Sequence, residues 1–103
     1  MYKLEFLPRA VADMTEIVRY ISHDLSNPEA ALSLAEEFVH TAEQATKFPY
    51  ANPPYQPIRP LEREYRRALI RNYLMFYWVD EKAATVTVAR VIYARRDYEK
   101  LLN

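Results

Sequence analysis

The hydrophobic period of the chain changes at a proline-rich segment, and this change limits the folds open to it. The segment "FPYANPPYQPIRP", residues 48–60, contains five prolines, each with a fixed φ and no backbone N–H. Before it, apolar residues recur at helical spacing, and after it β-branched and aromatic residues form strand-like runs. We therefore predict one domain over residues 1–103, with 48–60 as a stiff connecting loop. A proline-rich ligand for another protein module is the alternative interpretation of this segment.

The first 47 residues predict one strand and two helices. Tyr2–Leu7 alternates apolar and polar side chains, as a half-buried strand does. Pro8 can begin a helix that runs to about Asp24, because a proline at the first helical position loses no hydrogen bond. Asn27 as a cap and Pro28 as the first residue indicate a second helix. The buried stripe of that helix is predicted to be Ala31, Leu34, Ala35, Phe38, Ala42 and Ala45.

The residues after the loop predict three strands. These are Tyr65–Ile70, Tyr73–Val79 and Thr85–Arg95. Arg71-Asn72 predicts a tight hairpin, in which Asn72 tolerates a positive φ although the chain contains no glycine. Asp97 is expected to cap a short terminal helix. The predicted order of elements is therefore β-α-α-β-β-β-α.

Composition excludes several classes of protein. The chain has no cysteine, which excludes disulfides and thiolate metal sites. Its two histidines, His23 and His40, lie seventeen residues apart in helical segments, so we expect no metal and no cofactor. No apolar run approaches the roughly 20 residues that span a bilayer, and no signal-peptide pattern opens the chain. We expect a soluble cytoplasmic protein without a membrane partner.

Charge is distributed unevenly along a chain whose net charge is zero. Residues 1–47 hold four basic and eight acidic side chains, whereas residues 48–96 hold nine basic and four acidic ones. A basic second half indicates either an anionic partner, of which nucleic acid is the commonest, or arginines that keep a sheet surface soluble.

Strand alternation predicts which side chains share a face of the sheet. In the last strand, Val86, Val88 and Ile92 are expected to face the helices. The opposite face is expected to carry Thr85, Thr87, Ala89, Tyr93 and Arg95, beside Arg66, Arg67 and Arg71 of the preceding hairpin. Arginine and tyrosine on an open sheet face suit RNA, because guanidinium groups bind phosphates and tyrosine rings stack on bases. Alternatively the aromatic residues are core, and Arg90 pairs with Asp13 or Glu16.

The second half, "YRRALIRNYLMFYWVDEKAATVTVARVIYARRDYEKLL", resembles the C-terminal half of RelE/ParE superfamily toxins from bacterial type II toxin–antitoxin modules. The matching features are Tyr65-Arg66, the spacing of Tyr73 and Tyr77 before Asp80, and "VIYARRD" before a short helix. The start, "YKLEFLPRAVADMTEIVRYI", is similar too. The resemblance implies an α+β fold in which two N-terminal helices pack on a twisted, mainly antiparallel four-stranded sheet.

The resemblance also implies partners and activities. A cognate antitoxin is expected to wrap and neutralise the toxin. RelE-type relatives cut mRNA on the ribosome without a metal, and ParE-type relatives bind DNA gyrase without being nucleases. A third alternative is a degenerate toxin kept for antitoxin-dependent repression of its operon. From the basic sheet we predict mRNA cleavage, with gyrase inhibition as the alternative.

Residues carried over from the nucleases give the candidate catalytic set. Arg66 lies where RelE-type nucleases have a basic residue, and Arg95 lies where an arginine stabilises the transition-state phosphate. Ala68, Leu74 and Leu101 depart from the nuclease pattern. This leaves Tyr93 and Tyr98 as candidate bases, with Glu62 or Glu64 as the nearest conventional ones.

The remaining arginines are candidate RNA or partner contacts, namely Arg67, Arg71 and Arg96. If the last strand persists, Arg95 and Arg96 face opposite ways, so that Arg95 contacts the phosphate or partner and Arg96 braces the terminal helix. Arg95→Ala is then expected to relieve growth arrest more than Arg96→Ala.

Overall fold

The structure, a computed structural model, describes residues 1–102. Its strands are β1 (Lys3–Phe6), β2 (Arg66–Ile70), β3 (Tyr73–Asp80) and β4 (Thr85–Tyr93). Its helices are α1 (Pro8–Arg19), which widens into a π-helical turn at Tyr20–Asp24, α2 (Pro28–Lys47) and a C-terminal 3-10 helix (Tyr98–Leu101). The predicted order of elements and the α+β class are confirmed.

The predicted start signals of the helices are also confirmed. Pro8 is the first residue of α1. Before α2, the Asn27 side chain accepts a hydrogen bond from the Ala30 N–H at 3.1 Å, which satisfies one of the unpaired donors at the helix start. The buried face of α2 includes Leu34, Phe38 and Ala42.

The four strands form one mixed sheet in the order β1-β4-β3-β2. The two hairpins β2–β3 and β3–β4 are antiparallel, and β1 pairs in parallel with the first half of β4. This parallel pair requires a crossover connection, which α1 and α2 provide on one face of the sheet.

Both faces of the sheet are covered. The helices pack on one face around Phe38, Met75, Tyr77 and Val88. The other face, predicted to be open, carries a second apolar cluster that includes Phe76 and is covered by side chains of the proline-rich segment and the C-terminal tail. These side chains are Tyr55, Leu61, Tyr98, Leu101 and Leu102. The prediction of an open arginine- and tyrosine-lined face was therefore wrong.

A β-bulge changes the alternation of β4. Tyr77 pairs with Val88 and Phe76 pairs with Arg90, so Ala89 is an extra residue in β4. After the bulge, Ile92 belongs to the cluster on the face away from the helices, and Tyr93 pairs with Tyr73 on the helix side. The predicted faces of Ile92 and Tyr93 were therefore wrong, because strict alternation does not hold across an inserted residue.

The bulge also carries a buried ion pair. Arg90 binds the Asp13 carboxylate of α1 with two hydrogen bonds, of 2.8 and 3.0 Å, and the Val91 N–H donates to the same carboxylate. A further Arg90 nitrogen donates to the Leu101 carbonyl at 3.0 Å. One arginine thus joins α1, β4 and the C-terminal tail, and the predicted pairing with Asp13 is confirmed.

Three local predictions at the turns were wrong. β4 ends at Tyr93, so Arg95 and Arg96 lie in a turn and not in the strand. In the β2–β3 turn the residue with positive φ is Arg71, at 54°, and not Asn72. Asp97 precedes the 3-10 helix without a side-chain cap hydrogen bond.

Left-handed backbone at a non-glycine residue gives a testable stability effect. Ala84, in the β3–β4 turn, has φ of 49°, a conformation that costs a residue with a Cβ about 1–2 kcal/mol. We expect Ala84→Gly to raise the free energy of unfolding by about 0.5–1 kcal/mol, after the larger chain entropy of unfolded glycine is subtracted. Urea denaturation measures this change. Ala83→Gly is the matched control, since Ala83 does not have a positive φ, and equal stabilisation by both variants would contradict the explanation.

The helices within residues 1–102 are not candidates for membrane spans, since none is both long enough and apolar enough to cross a bilayer.

Candidate functional site

Arg66 lies on the helix side of the sheet and fastens the proline-rich segment to β2. Its side chain is 13% exposed. A guanidinium nitrogen donates to the Asn52 carbonyl at 2.6 Å, and the guanidinium carbon lies 4.7 Å from the centre of the Tyr50 ring. Glu64 lies 3.5 Å away. The Arg66 guanidinium is therefore largely buried and has an internal acceptor in Asn52.

Further hydrogen bonds hold the proline-rich segment against the sheet. The buried Tyr77 hydroxyl donates to the Pro49 carbonyl at 3.3 Å, and the Asn52 amide donates to the Tyr77 hydroxyl at 3.2 Å. Burial raises the pKa of Tyr77. Tyr50 donates to the Glu81 carboxylate, and this hydrogen bond raises the pKa of the Tyr50 phenol. These tyrosines therefore stay protonated at neutral pH and act as donors.

A cleft opens beside Arg66 at the β3–β4 end of the sheet. Arg63 stacks 4.1 Å from the centre of the Trp78 ring, and Glu62, Glu64 and Glu81 complete the lining. Glu62 and Glu64, the nearest predicted conventional bases, thus lie with Arg66 and not with either candidate tyrosine.

Arg67 points to the opposite face of the sheet and meets Tyr98. The Arg67 guanidinium donates to the Tyr98 hydroxyl at 3.0 Å and lies 5.0 Å from the centre of the Tyr55 ring. The Tyr98 ring packs against Phe76 at 5.3 Å and Tyr55 at 5.8 Å. The site therefore combines one partly solvated cation with aromatic rings that belong to the second apolar cluster.

The remaining candidates lie at the end of the sheet where β4 finishes. Tyr93 packs edge-to-face against Tyr73, with ring centres 5.9 Å apart. Arg71 forms an ion pair of 2.8 Å with Glu37 of α2. Arg95 and Arg96 are exposed, and their side chains make no hydrogen bond or ion pair to any residue in 1–102. The predicted bracing of the terminal helix by Arg96 is not observed.

The structure therefore separates the four candidate catalytic residues. Arg66 and Tyr93 belong to the helix side of the sheet, Tyr98 lies on the opposite side, and Arg95 is in the turn after β4. Among all the candidate residues, the one side-chain hydrogen bond within residues 1–102 joins Tyr98 to Arg67, which was predicted as an RNA or partner contact. Two aromatic residues of the site were not predicted: Tyr50, whose ring contacts Arg66, and Tyr55, whose ring contacts Arg67. The one signal for them was an aromatic residue repeated within an otherwise proline-rich loop.

Within residues 1–102, no three His, Asp or Glu side chains lie close enough together to hold an ion.

A protein-family model identifies the chain. The model for the ParE toxin of the type II toxin–antitoxin system parDE matches residues 4–98. The chain therefore belongs to the ParE toxin family and is the toxin of a type II toxin–antitoxin system. No curated protein sequence matches it.

Solved structures show the same fold at low sequence identity. A chain of the chromosomal ParDE system from P. aeruginosa matches with a TM-score of 0.73 and 16% identity, over 92% of this chain and 98% of that one. A chain of the RelBE2 complex from Mycobacterium tuberculosis matches with a TM-score of 0.62 and 19% identity, over 89% and 96%. A chain of the E. coli RelBE complex matches with a TM-score of 0.59 and 20% identity, over 93% and 100%. The RelE/ParE fold is thus confirmed.

Proposed function

We propose that this toxin arrests growth as a ParE-type inhibitor, which binds DNA gyrase and performs no chemistry of its own. The separation of the candidate catalytic residues carries this proposal. RNA cleavage needs a base for the 2′-hydroxyl, a cation for the phosphate and an acid for the leaving oxygen, all within reach of one phosphate. Arg66 and Tyr98 lie on opposite sides of the sheet, an arrangement that does not direct both side chains at one phosphate.

The state of Arg66 supports the same proposal. A phosphate clamp needs guanidinium donors free to form paired hydrogen bonds with the phosphate oxygens. Arg66 instead donates to the Asn52 carbonyl, forms an ion pair with Glu64 and has one face of its guanidinium against the Tyr50 ring. Its role in this chain is to fix the proline-rich segment.

A cognate antitoxin is the second proposed partner. The groove between α1 and α2 has a volume of about 440 Å³ and is lined by apolar residues such as Met14, Val18 and Phe38. Val39, on its rim, is 50% exposed. Arg19 and His23 border the same groove. An amphipathic antitoxin helix with acidic flanks would fit this combination of apolar floor and basic rim.

One observation favours ribosome-dependent mRNA cleavage as the second candidate function. Arg67 and Tyr98 are in hydrogen-bond contact, with one cation and one phenol on the same surface. In that function, Arg67 would neutralise the phosphate, Tyr98 would protonate the leaving oxygen, and water would accept the 2′-hydroxyl proton, without a metal or cofactor.

Tyr98→Phe separates the two functions. The substitution removes only the hydroxyl that meets Arg67 and keeps the ring packed on Phe76. For a gyrase inhibitor we expect unchanged growth arrest, within about twofold, whereas loss of a general acid or base lowers cleavage about 10²–10⁴-fold. Induced expression with counting of surviving cells measures the effect. Loss of arrest by a variant that folds normally would favour cleavage.

The direct experiment is a DNA supercoiling assay with purified gyrase and purified toxin, run beside cell-free translation with primer extension on the message. The proposal expects inhibited supercoiling and an intact message. Ribosome-dependent breaks with normal supercoiling would overturn it.

A further inference from the structure

Two turns and two helices meet at the end of the sheet where β4 finishes. The Ala94 N–H donates to the Asn72 carbonyl at 2.8 Å, so the β2–β3 turn and the turn after β4 lie side by side. Arg71, in the first of these turns, joins them to α2 through Glu37 and through Ser33 at 3.0 Å. Hydrogen bonds and an ion pair therefore link the two turns to each other and to α2 at this end of the molecule.

Three tyrosines converge on the same end. Tyr73 lies innermost, packed edge-to-face on Phe38 of α2, with ring centres 6.0 Å apart, and on Tyr93. Burial raises the pKa of Tyr73, and the nearby hydroxyls of Tyr93 and Tyr20 raise it further. Tyr20 begins the π-helical turn after α1, and such turns are frequent at functional sites.

The two outer tyrosines are exposed, at 51% for Tyr20 and 37% for Tyr93, and the Tyr93 ring is held against Tyr73. Burying a half-exposed tyrosine against a partner costs little conformational entropy, because the side chain has only two torsions. Aromatic rings of this kind, together with arginine, are enriched among the residues that dominate protein–protein binding energy.

Positive charge at this end is not neutralised within the described residues. Arg95 follows Tyr93 by two residues and makes no ion pair with any residue in 1–102. Two carboxylates at this end have other partners: Glu37 binds Arg71, and Asp97, two residues after Arg95, binds Lys100 at 3.4 Å. A partner with carboxylates would complement Arg95.

We infer that Tyr20, Tyr93 and Arg95, named here the sheet-end patch, form the surface with which the toxin binds an acidic surface of its protein target. This inference rests on the proposed function and assigns gyrase binding to one end of the molecule. The tyrosine rings supply buried contact area, and Arg95 supplies a charge-assisted contact that fixes orientation.

The same features disfavour nucleic acid as the occupant of the patch. Bases stack on the faces of aromatic rings. The Tyr93 and Tyr73 rings meet at an interplanar angle of 64°, so the two rings together do not form a flat surface for stacking. The chain also has zero net charge and a pI of about 6.7, whereas nucleic-acid-binding domains are commonly basic overall.

Binding of the toxin to immobilised gyrase, measured at two salt concentrations, tests this inference. The variants are Arg95→Glu and the pair Tyr20→Ser with Tyr93→Ser. We expect each to weaken binding about tenfold or more, and the arginine variant to abolish most of the salt dependence. Lys82→Glu is the matched control, because it makes the same charge change in an exposed turn at the other end of the sheet, and it should stay within about twofold of wild type. Circular dichroism melting checks that each variant is folded.

The outcomes separate the inference from the function on which it rests. Wild-type toxin that neither binds gyrase nor inhibits supercoiling would overturn both. Wild-type binding that all patch variants retain would overturn the sheet-end patch alone. A third arm measures anisotropy of a labelled single-stranded RNA 20-mer. If the patch variants lose RNA binding while they keep gyrase binding, the surface is a nucleic-acid site and the inference is wrong.

Discussion

Asp13→Asn is expected to lower the free energy of unfolding by about 3–5 kcal/mol, because it leaves the Arg90 charge buried without its counter-charge. Both side chains of the pair are about one-tenth exposed, at 10% for Asp13 and 11% for Arg90. Asp13 also accepts from the Val91 N–H, just beyond the last residue of β4 that pairs with β1. The loss would be a large share of the 5–15 kcal/mol typical of a small domain. Urea denaturation followed by circular dichroism measures it.

Two comparisons show whether the unpaired charge is the cause. Glu16→Gln changes an exposed carboxylate on the same helix and should alter stability by less than about 0.5 kcal/mol. The double variant Asp13→Leu with Arg90→Met removes both charges and should recover a large part of the loss. A double variant as unstable as Asp13→Asn would show that packing, and not the lone charge, sets the cost.

Arg66→Ala is expected to cost about 2–4 kcal/mol of stability and to release the proline-rich segment from β2. The estimate combines a charge-assisted hydrogen bond to Asn52, worth about 1.5–3 kcal/mol, with stacking on Tyr50, worth about 0.5–1 kcal/mol. Arg96→Ala is the matched control, since Arg96 is exposed and its side chain makes no hydrogen bond or ion pair with any residue in 1–102. Thermal melting measures the difference, together with protease cleavage within residues 48–65.

The function of Arg66 can be distinguished from its structural role by growth arrest. If Arg66 only fixes the loop, Arg66→Ala should fail to arrest growth at the usual temperature because it is unfolded. It should arrest growth again at a lower temperature, at which the variant is folded. A folded variant that remains harmless at every temperature would restore Arg66 to the candidate catalytic set.

The elements of the fold were predictable because each has a local signal. Helical periodicity, Pro8 and the Asn27–Pro28 pair specify both helices from neighbouring residues alone, and the aromatic run at Tyr73–Val79 specifies a strand. The fold family followed from the order of these signals.

The arrangement of the site was only partly predictable, because one inserted residue changes the faces of the end of β4. Nothing about Ala89 as a residue type indicates a bulge, yet the bulge moves Tyr93 to the helix side and Ile92 to the opposite side. Likewise, the cover over the second face depends on scattered apolar residues such as Tyr55 and Leu61, whose contacts are long-range and leave no period in the sequence. Alternation predicts faces only while pairing is regular.

The parallel pairing of β1 with β4 has a consequence for synthesis of the toxin. Lys3 pairs with Thr85 and Phe6 with Val88, and Asp13 lies 77 residues before its partner Arg90. The first strand therefore has no place in the sheet until the last strand has left the ribosome, and such long-range closure makes folding slow. A chain that stops before residue 85 lacks β4, the strand that lies between β1 and β3 in the sheet.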